Sequence, residues 1–154
     1  YIIGLMNTAD RSIAMVDYAL RRRFDFYDLE PAFDNEKFKQ DLSRLAVDLT
    51  NLVEYLNTNL NIQSISGDQT LGPGFCIGHS YFCNFTDEEG RTLNEDGIKK
   101  RVNAIIEYEI LPLLKEYWFD DKSKYDTHEE ELKGYIYDFS TESDPNGDDE
   151  TNGD

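Results

Sequence analysis

A chain of 154 residues with 39% hydrophobic content can hold one medium domain or two small ones, each with a buried core. Its net charge of −17 comes from 32 acidic residues against 15 basic ones, and seven of the acids follow Tyr137 in a stretch without Lys or Arg. The 25 acids that precede this stretch still outnumber the bases, which disfavours contact with phosphate backbones and argues against this portion gripping DNA.

Residues 1–6, Tyr-Ile-Ile-Gly-Leu-Met, form an apolar run that predicts a strand buried on both faces, as in a parallel sheet. A chain that opens inside such a run leaves no room for a start signal or a preceding turn, so a C-terminal piece of a longer protein is expected. Asp10 or Ser12 can cap a helix whose apolar positions Ile13, Val16, Leu20 and Phe24 recur at spacings of three and four, and that helix should end near Arg23. Residues 24–29 alternate in the manner of a second strand, closed by Glu30 and Pro31. Strand, helix and strand in this order predict one parallel β-α-β crossover over residues 1–31, the remnant of an α/β domain.

The pattern changes after Pro31. Phe38, Leu42, Leu45, Leu49, Leu52, Leu56 and Leu60 predict one long amphipathic helix over residues 35–61. The glycines of residues 72–78 predict a tight turn before a short helix. Ile98, Val102, Ile105, Ile106, Ile110, Leu113, Leu114 and Tyr117 mark a second long helix, which Pro112 should kink or split. A final short helix is expected within residues 122–137, with His128 on a solvated face beside Glu129, Glu130 and Glu131. Trp118 and its aromatic neighbours read as core or interface. Residues 32–137 are thus an all-α domain and the chain as a whole is predominantly helical. Residues 138–154, rich in Asp, Asn, Gly, Ser and Thr, form an acidic tail that has too little apolar surface to order itself.

Asn7 stands at the exit of the first strand. That is the carboxyl edge of a parallel sheet, where ligands of open α/β folds bind. An amide there can donate to a γ-phosphate oxygen and orient an attacking water without adding charge, whereas the plainer reading is a turn or a helix cap. Arg21, Arg22 and Arg23 follow at the end of the helix. Arginines there complement the helix dipole, and Asp17 can pair with Arg21, but three exceed that need. A planar, permanently charged guanidinium suits the charge that spreads over a transferring phosphoryl group.

The strings Met6-Asn7-Thr8-Ala9-Asp10-Arg11-Ser12, Ala19-Leu20-Arg21-Arg22-Arg23-Phe24 and Gly78-His79-Ser80-Tyr81-Phe82 together resemble the AAA+ GTPases of the McrB type, from modified-cytosine-dependent restriction systems. The resemblance implies that residues 1–31 are the end of an AAA+ core and residues 32–137 its helical lid. Asn7 then takes the sensor 1 role. Arg22 is the favoured arginine finger reaching into the next subunit's nucleotide, with Arg23 its rival and Arg21 structural. Asp10 and Arg11 either cap and cover a helix or make polar contacts near the nucleotide across the interface. His79 lies close to where many AAA+ lids carry a sensor 2 arginine. Packing or lid geometry is the leading reading for it and nucleotide sensing the other, because imidazole is only partly charged at neutral pH. The resemblance further implies a hexameric ring with GTP and magnesium between subunits, a McrC-type nuclease partner and DNA reading by a domain outside this chain.

No phosphate-binding G-x-x-x-x-G-K-[ST] loop occurs in these residues, so the chain alone should hold nucleotide poorly and hydrolyse none. Two other readings stay open: an ATP-using AAA+ relative of another role, and a non-enzymatic helical interaction module. Cys76, His79 and Cys83 lack a fourth ligand at suitable spacing, both cysteines sit among apolar neighbours that predict burial, and no metal site is expected. Two cysteines are also too few for a disulfide framework. With no apolar run near the ~20 residues that span a bilayer and no visible leader, a cytoplasmic protein without membrane contact is expected.

Overall fold

The computed structural model describes residues 2–5, 22–27, 29–61 and 75–139. Among them the regular elements are helical, and the one β-type pairing is an isolated antiparallel bridge between Thr86 and Thr92. Helix α1 spans Glu36–Leu42 and α2 spans Thr50–Tyr55, which continues into a π-helical turn over Leu56–Leu60. A 3-10 turn covers His79–Phe82. Helix α3, Glu95–Ala104, runs through a π-helical turn, Ile105–Ile110, into α4, Leu111–Tyr117, and α5 covers Lys122–Lys133.

Three side-chain caps start these helices where the sequence offers them. Asn35 accepts from the backbone N–H groups of Lys37 and Phe38, Asn94 from Gly97 and Asp121 from Lys124. Glu95 and Asp96 in the first turn of α3 complement its dipole.

The expected single helix over residues 35–61 is broken between Leu42 and Thr50. The Ser43 hydroxyl donates to the Gln40 carbonyl, the Arg44 and Leu45 amides tighten onto the carbonyls three residues back, and Asp48 accepts from the Thr50 N–H to begin α2. The break has a packing reason. Val47, Leu49 and Leu52 are all buried, yet on one continuous helix Val47 and Leu49 would point about 200° apart.

Pro112 has the opposite outcome, because the second long helix passes through it without a split. Proline removes one donor and crowds the carbonyl four residues back. The π-helical turn relieves this one residue earlier, with the Leu111 N–H donating to Ile106. Ile98, Val102, Ile105, Ile106, Ile110 and Leu114 from this helix form the centre of the core, joined by Leu56, Leu60, Ile77 and Leu132.

No strand forms among residues 2–5 or among 24–27 and 29, so the expected β-α-β crossover is not shown in the described residues. A strand is stabilised by a ladder and by cover for its apolar face, and among the described residues these segments pair in no ladder, with Ile3 and Leu5 each 90% exposed and Tyr27 and Leu29 also facing outward. The intervening helix lies outside the described residues, as does the tail beyond Phe139.

His128 departs from its expected solvated face. It is half-buried, its ring stacked on Trp118 with centroids 4.9 Å apart, and its Nδ1 lies 2.7 Å from the Tyr55 hydroxyl. Burial and, after it, the Lys124 charge lower its pKa, with Glu131 opposing. Burial pushes the Tyr55 hydroxyl up to about 12, so both partners are neutral at pH 7. The sequence shows only the charged neighbours of His128, but at 3.6 residues per turn its own face is the one that carries Tyr125 and Leu132.

Candidate functional site

Three of the residues singled out from sequence, Asn7, Asp10 and Arg11, lie outside the described residues, as does Arg21. Arg22 and Arg23 form a turn, and both are exposed. Among the described residues no carboxylate pairs with either, whereas Arg44, Arg91 and Arg101 are each held by an Asp or Glu. Both guanidiniums are thus exposed and make no ion pair with a described carboxylate.

His79 is the sequence-predicted residue whose surroundings are best defined. It begins the 3-10 turn, which Ile77 and Phe82 anchor from either side by burying their side chains. Its Nδ1 accepts a hydrogen bond of 3.0 Å from the backbone N–H of Ala32, forty-seven residues away. Because an amide nitrogen can only donate, Nδ1 carries the lone pair, and the ring proton sits on Nε2. Phe38 meets the imidazole edge-to-face at 5.4 Å between centroids, and Phe33 does so at 6.2 Å. Ala32 also accepts from the Asn35 N–H, so the chain entering α1 is fixed from both sides.

Sequence reasoning placed His79 in the lid but missed its partners. Phe33 and Phe38 were visible as apolar positions, yet a backbone N–H carries no residue identity, and nothing in a linear pattern links Ala32 to a histidine in another loop.

Between α1 and α2 lies a groove of about 970 Å³. Phe38, Leu42, Val47 and Val53 line it, and its charged groups are Asp34, Asp48 and Glu54 against Lys39. Excess negative charge in a partly enclosed, apolar-walled groove opposes a polyphosphate, so the phosphate chemistry does not belong there.

Cys76 is half-buried and Cys83 exposed, against the burial expected from their neighbours. Burial of its thiol and the nearby Asp41 raise the Cys83 pKa, which makes it a poor thiolate ligand or nucleophile. Among the described residues no group of three or more His, Cys, Asp or Glu side chains is arranged to hold a metal ion, and no helix is long and apolar enough to cross a membrane.

Residues 48–126 match the family described as McrB, alpha-helical lid domain. Over 127 residues, 80% of this chain, the sequence is 50% identical to the Type IV methyl-directed restriction enzyme EcoKMcrB subunit of Escherichia coli (strain K12). The match spans 26% of that relative's length.

Proposed function

The chain belongs to the McrB lid-domain family, and from that premise we propose that it serves a nucleoside-triphosphate-driven motor of the McrBC restriction type. In this reading residues 1–31 complete the AAA+ core and residues 32–137 form its lid. The triphosphate is GTP, with ATP the competing nucleotide, and magnesium accompanies it. Neither is held by this chain alone, because the phosphate loop and the acidic residues that hold magnesium are supplied by other parts of the parent protein. The motor acts in the cytoplasm with a McrC-type nuclease partner and reads DNA through another domain.

The chemistry assigned to this chain is positional. The Asn7 amide donates to the γ-phosphate of its own subunit and orients the attacking water. Arg22, with Arg23 beside it, reaches the triphosphate of the next subunit and neutralises charge that builds on the equatorial oxygens during transfer. His79 lies near the nucleotide-facing side of the lid, and Asp10 and Arg11 contribute polar contacts at the boundary. Such an interface pairs unlike surfaces, and closure into a ring of six gives every triphosphate both an amide and a guanidinium.

The observation that carries this reading is the exposed Arg22–Arg23 turn in a chain 50% identical over 127 residues to a restriction-enzyme subunit. Its test is complementation between subunits of the intact protein. An Arg22→Ala subunit keeps a working phosphate loop, and a subunit with a disabled loop keeps its arginine. Each alone should be inactive, while their mixture should regain part of the GTP turnover. No recovery on mixing removes the trans role.

A further inference from the structure

The end of the connector between the arginine-bearing segment and the helical unit, from Glu30 onward, is constrained. Pro31 has its φ fixed by its ring, and it restricts Glu30 before it to extended conformations. The next group along the backbone, the Ala32 N–H, is held by His79 Nδ1 at 3.0 Å. Phe33, which follows, is buried and packs edge-to-face on Phe38 at 5.9 Å. Both phenyl rings close on the imidazole, and Asn35 caps α1 two residues further on. From Glu30 to Phe38 the backbone is therefore a strut, and His79 is a distant side chain that hydrogen-bonds to it.

We infer that His79 is a positioning residue that fixes the direction in which the Arg22–Arg23 segment leaves the lid, by holding the Ala32 amide through its Nδ1. This rests on the proposed role of the two arginines. It assigns His79 to the joint between core and lid, with its Nδ1 engaged by protein backbone and not by phosphate. A guanidinium that must meet developing charge in a neighbouring subunit tolerates little angular error, since a displacement of about 1 Å can cost on the order of 10²-fold in rate.

The two ring nitrogens can be separated by substitution. In His79→Asn the side-chain oxygen can occupy the place of Nδ1 and still accept from Ala32. In His79→Gln the amide reaches the place of Nε2 and leaves the Ala32 N–H without its acceptor. His79→Ala removes both. In the 154-residue chain, amide exchange at Ala32 should quicken by about tenfold or more in the Ala and Gln variants and stay near wild type in Asn. In the intact protein, Ala and Gln should lower kcat by roughly ten- to a hundredfold, with KM for GTP within about threefold, and Asn should restore most of the rate.

The inference is overturned by a rate that follows Gln instead of Asn, which would place Nε2 on the nucleotide. It is equally overturned by an Ala32 amide that loses protection while kcat stays at the wild-type level. Thermal midpoints of the near-isosteric Asn and Gln pair control for folding. Arg22→Ala and Arg23→Ala assayed alongside keep the two readings apart. If those substitutions leave turnover intact, the finger assignment fails on its own, whereas an arginine effect without a His79 effect removes only the strut.

Discussion

Residues 2–5 and 24–29 are as apolar as the helical unit that follows, yet the two regions end in opposite environments. Ile2, Ile3, Leu5, Tyr27 and Leu29 lie open to solvent, while Ile98, Ile105, Ile106, Ile110 and Leu132 are sealed from it. The difference lies in where each element finds its partners. A helix satisfies its backbone internally and needs only a neighbouring face, and α2 to α5 supply one another with such faces. A strand in a parallel sheet needs a ladder and two covering layers, and the described part of this chain provides neither.

The comparison can be tested from its strongest consequence downward. Arg22→Ala in the intact protein should lower GTP turnover by about 10³-fold or more if the arginine stabilises transferred charge. Arg101→Ala, which removes an ion pair with Glu109 inside the helical unit, should change turnover less than about threefold. Equal losses in steady-state assays would erase the functional distinction between the regions.

Leu132→Ala should destabilise the chain by about 2 to 5 kcal/mol, because a fully buried leucine leaves a cavity beneath α5. Leu29→Ser should stay within about 0.5 kcal/mol in the same urea titration of the 154-residue chain. A comparable loss from the exposed leucine would show that the N-terminal segment already has a core.

A smaller effect is expected at Asn103, whose amide clamps the backbone of Tyr137 by donating to its carbonyl at 2.8 Å and accepting from its N–H at 2.9 Å. Asn103→Ala should cost about 1 to 3 kcal/mol, and residues 135–139 should exchange their amides faster than α3 does.

The smallest effect concerns pH. The lowered pKa of His128 means that the unfolded chain binds its proton more readily, so this contribution to stability is fully present above about pH 6.5 and is lost as pH falls through the folded-state value. Comparing wild type with His128→Gln at about pH 7.5 and pH 5 isolates the effect, since shared carboxylate titrations cancel. A difference that does not shrink toward low pH would contradict the buried neutral imidazole.

Much of the helical unit was legible in the sequence, and the reasons are local. Asn35, Asn94 and Asp121 cap helices because their side chains reach the amides two or three residues on, and the periodic Ile and Leu positions of the second long helix are the ones that form its buried face. The break after Leu42 is partly written in Ser43 and Asp48, both of which compete for backbone groups, although the leucine spacing runs on unbroken through it. The way the helix accommodates Pro112 was hidden, because a π-helical turn has no distinct residue signature. The hairpin-like bridge at Thr86 and Thr92 had one visible signal in Gly90, whose φ of 78° few other residues adopt.

What the sequence alone determined is the set of local choices: caps, helical periodicity, the acidic balance and the strings that tie this chain to its family. Only tertiary structure decided which distant groups meet: His79 with the Ala32 amide, His128 with Tyr55 and Trp118, Asn103 with Tyr137. The physical reason is that local preferences act over a few bonds and are encoded in neighbouring residues. A contact across tens of residues depends on how whole faces pack, and a backbone amide or a half-buried imidazole becomes specific only once that packing has brought its partner within reach.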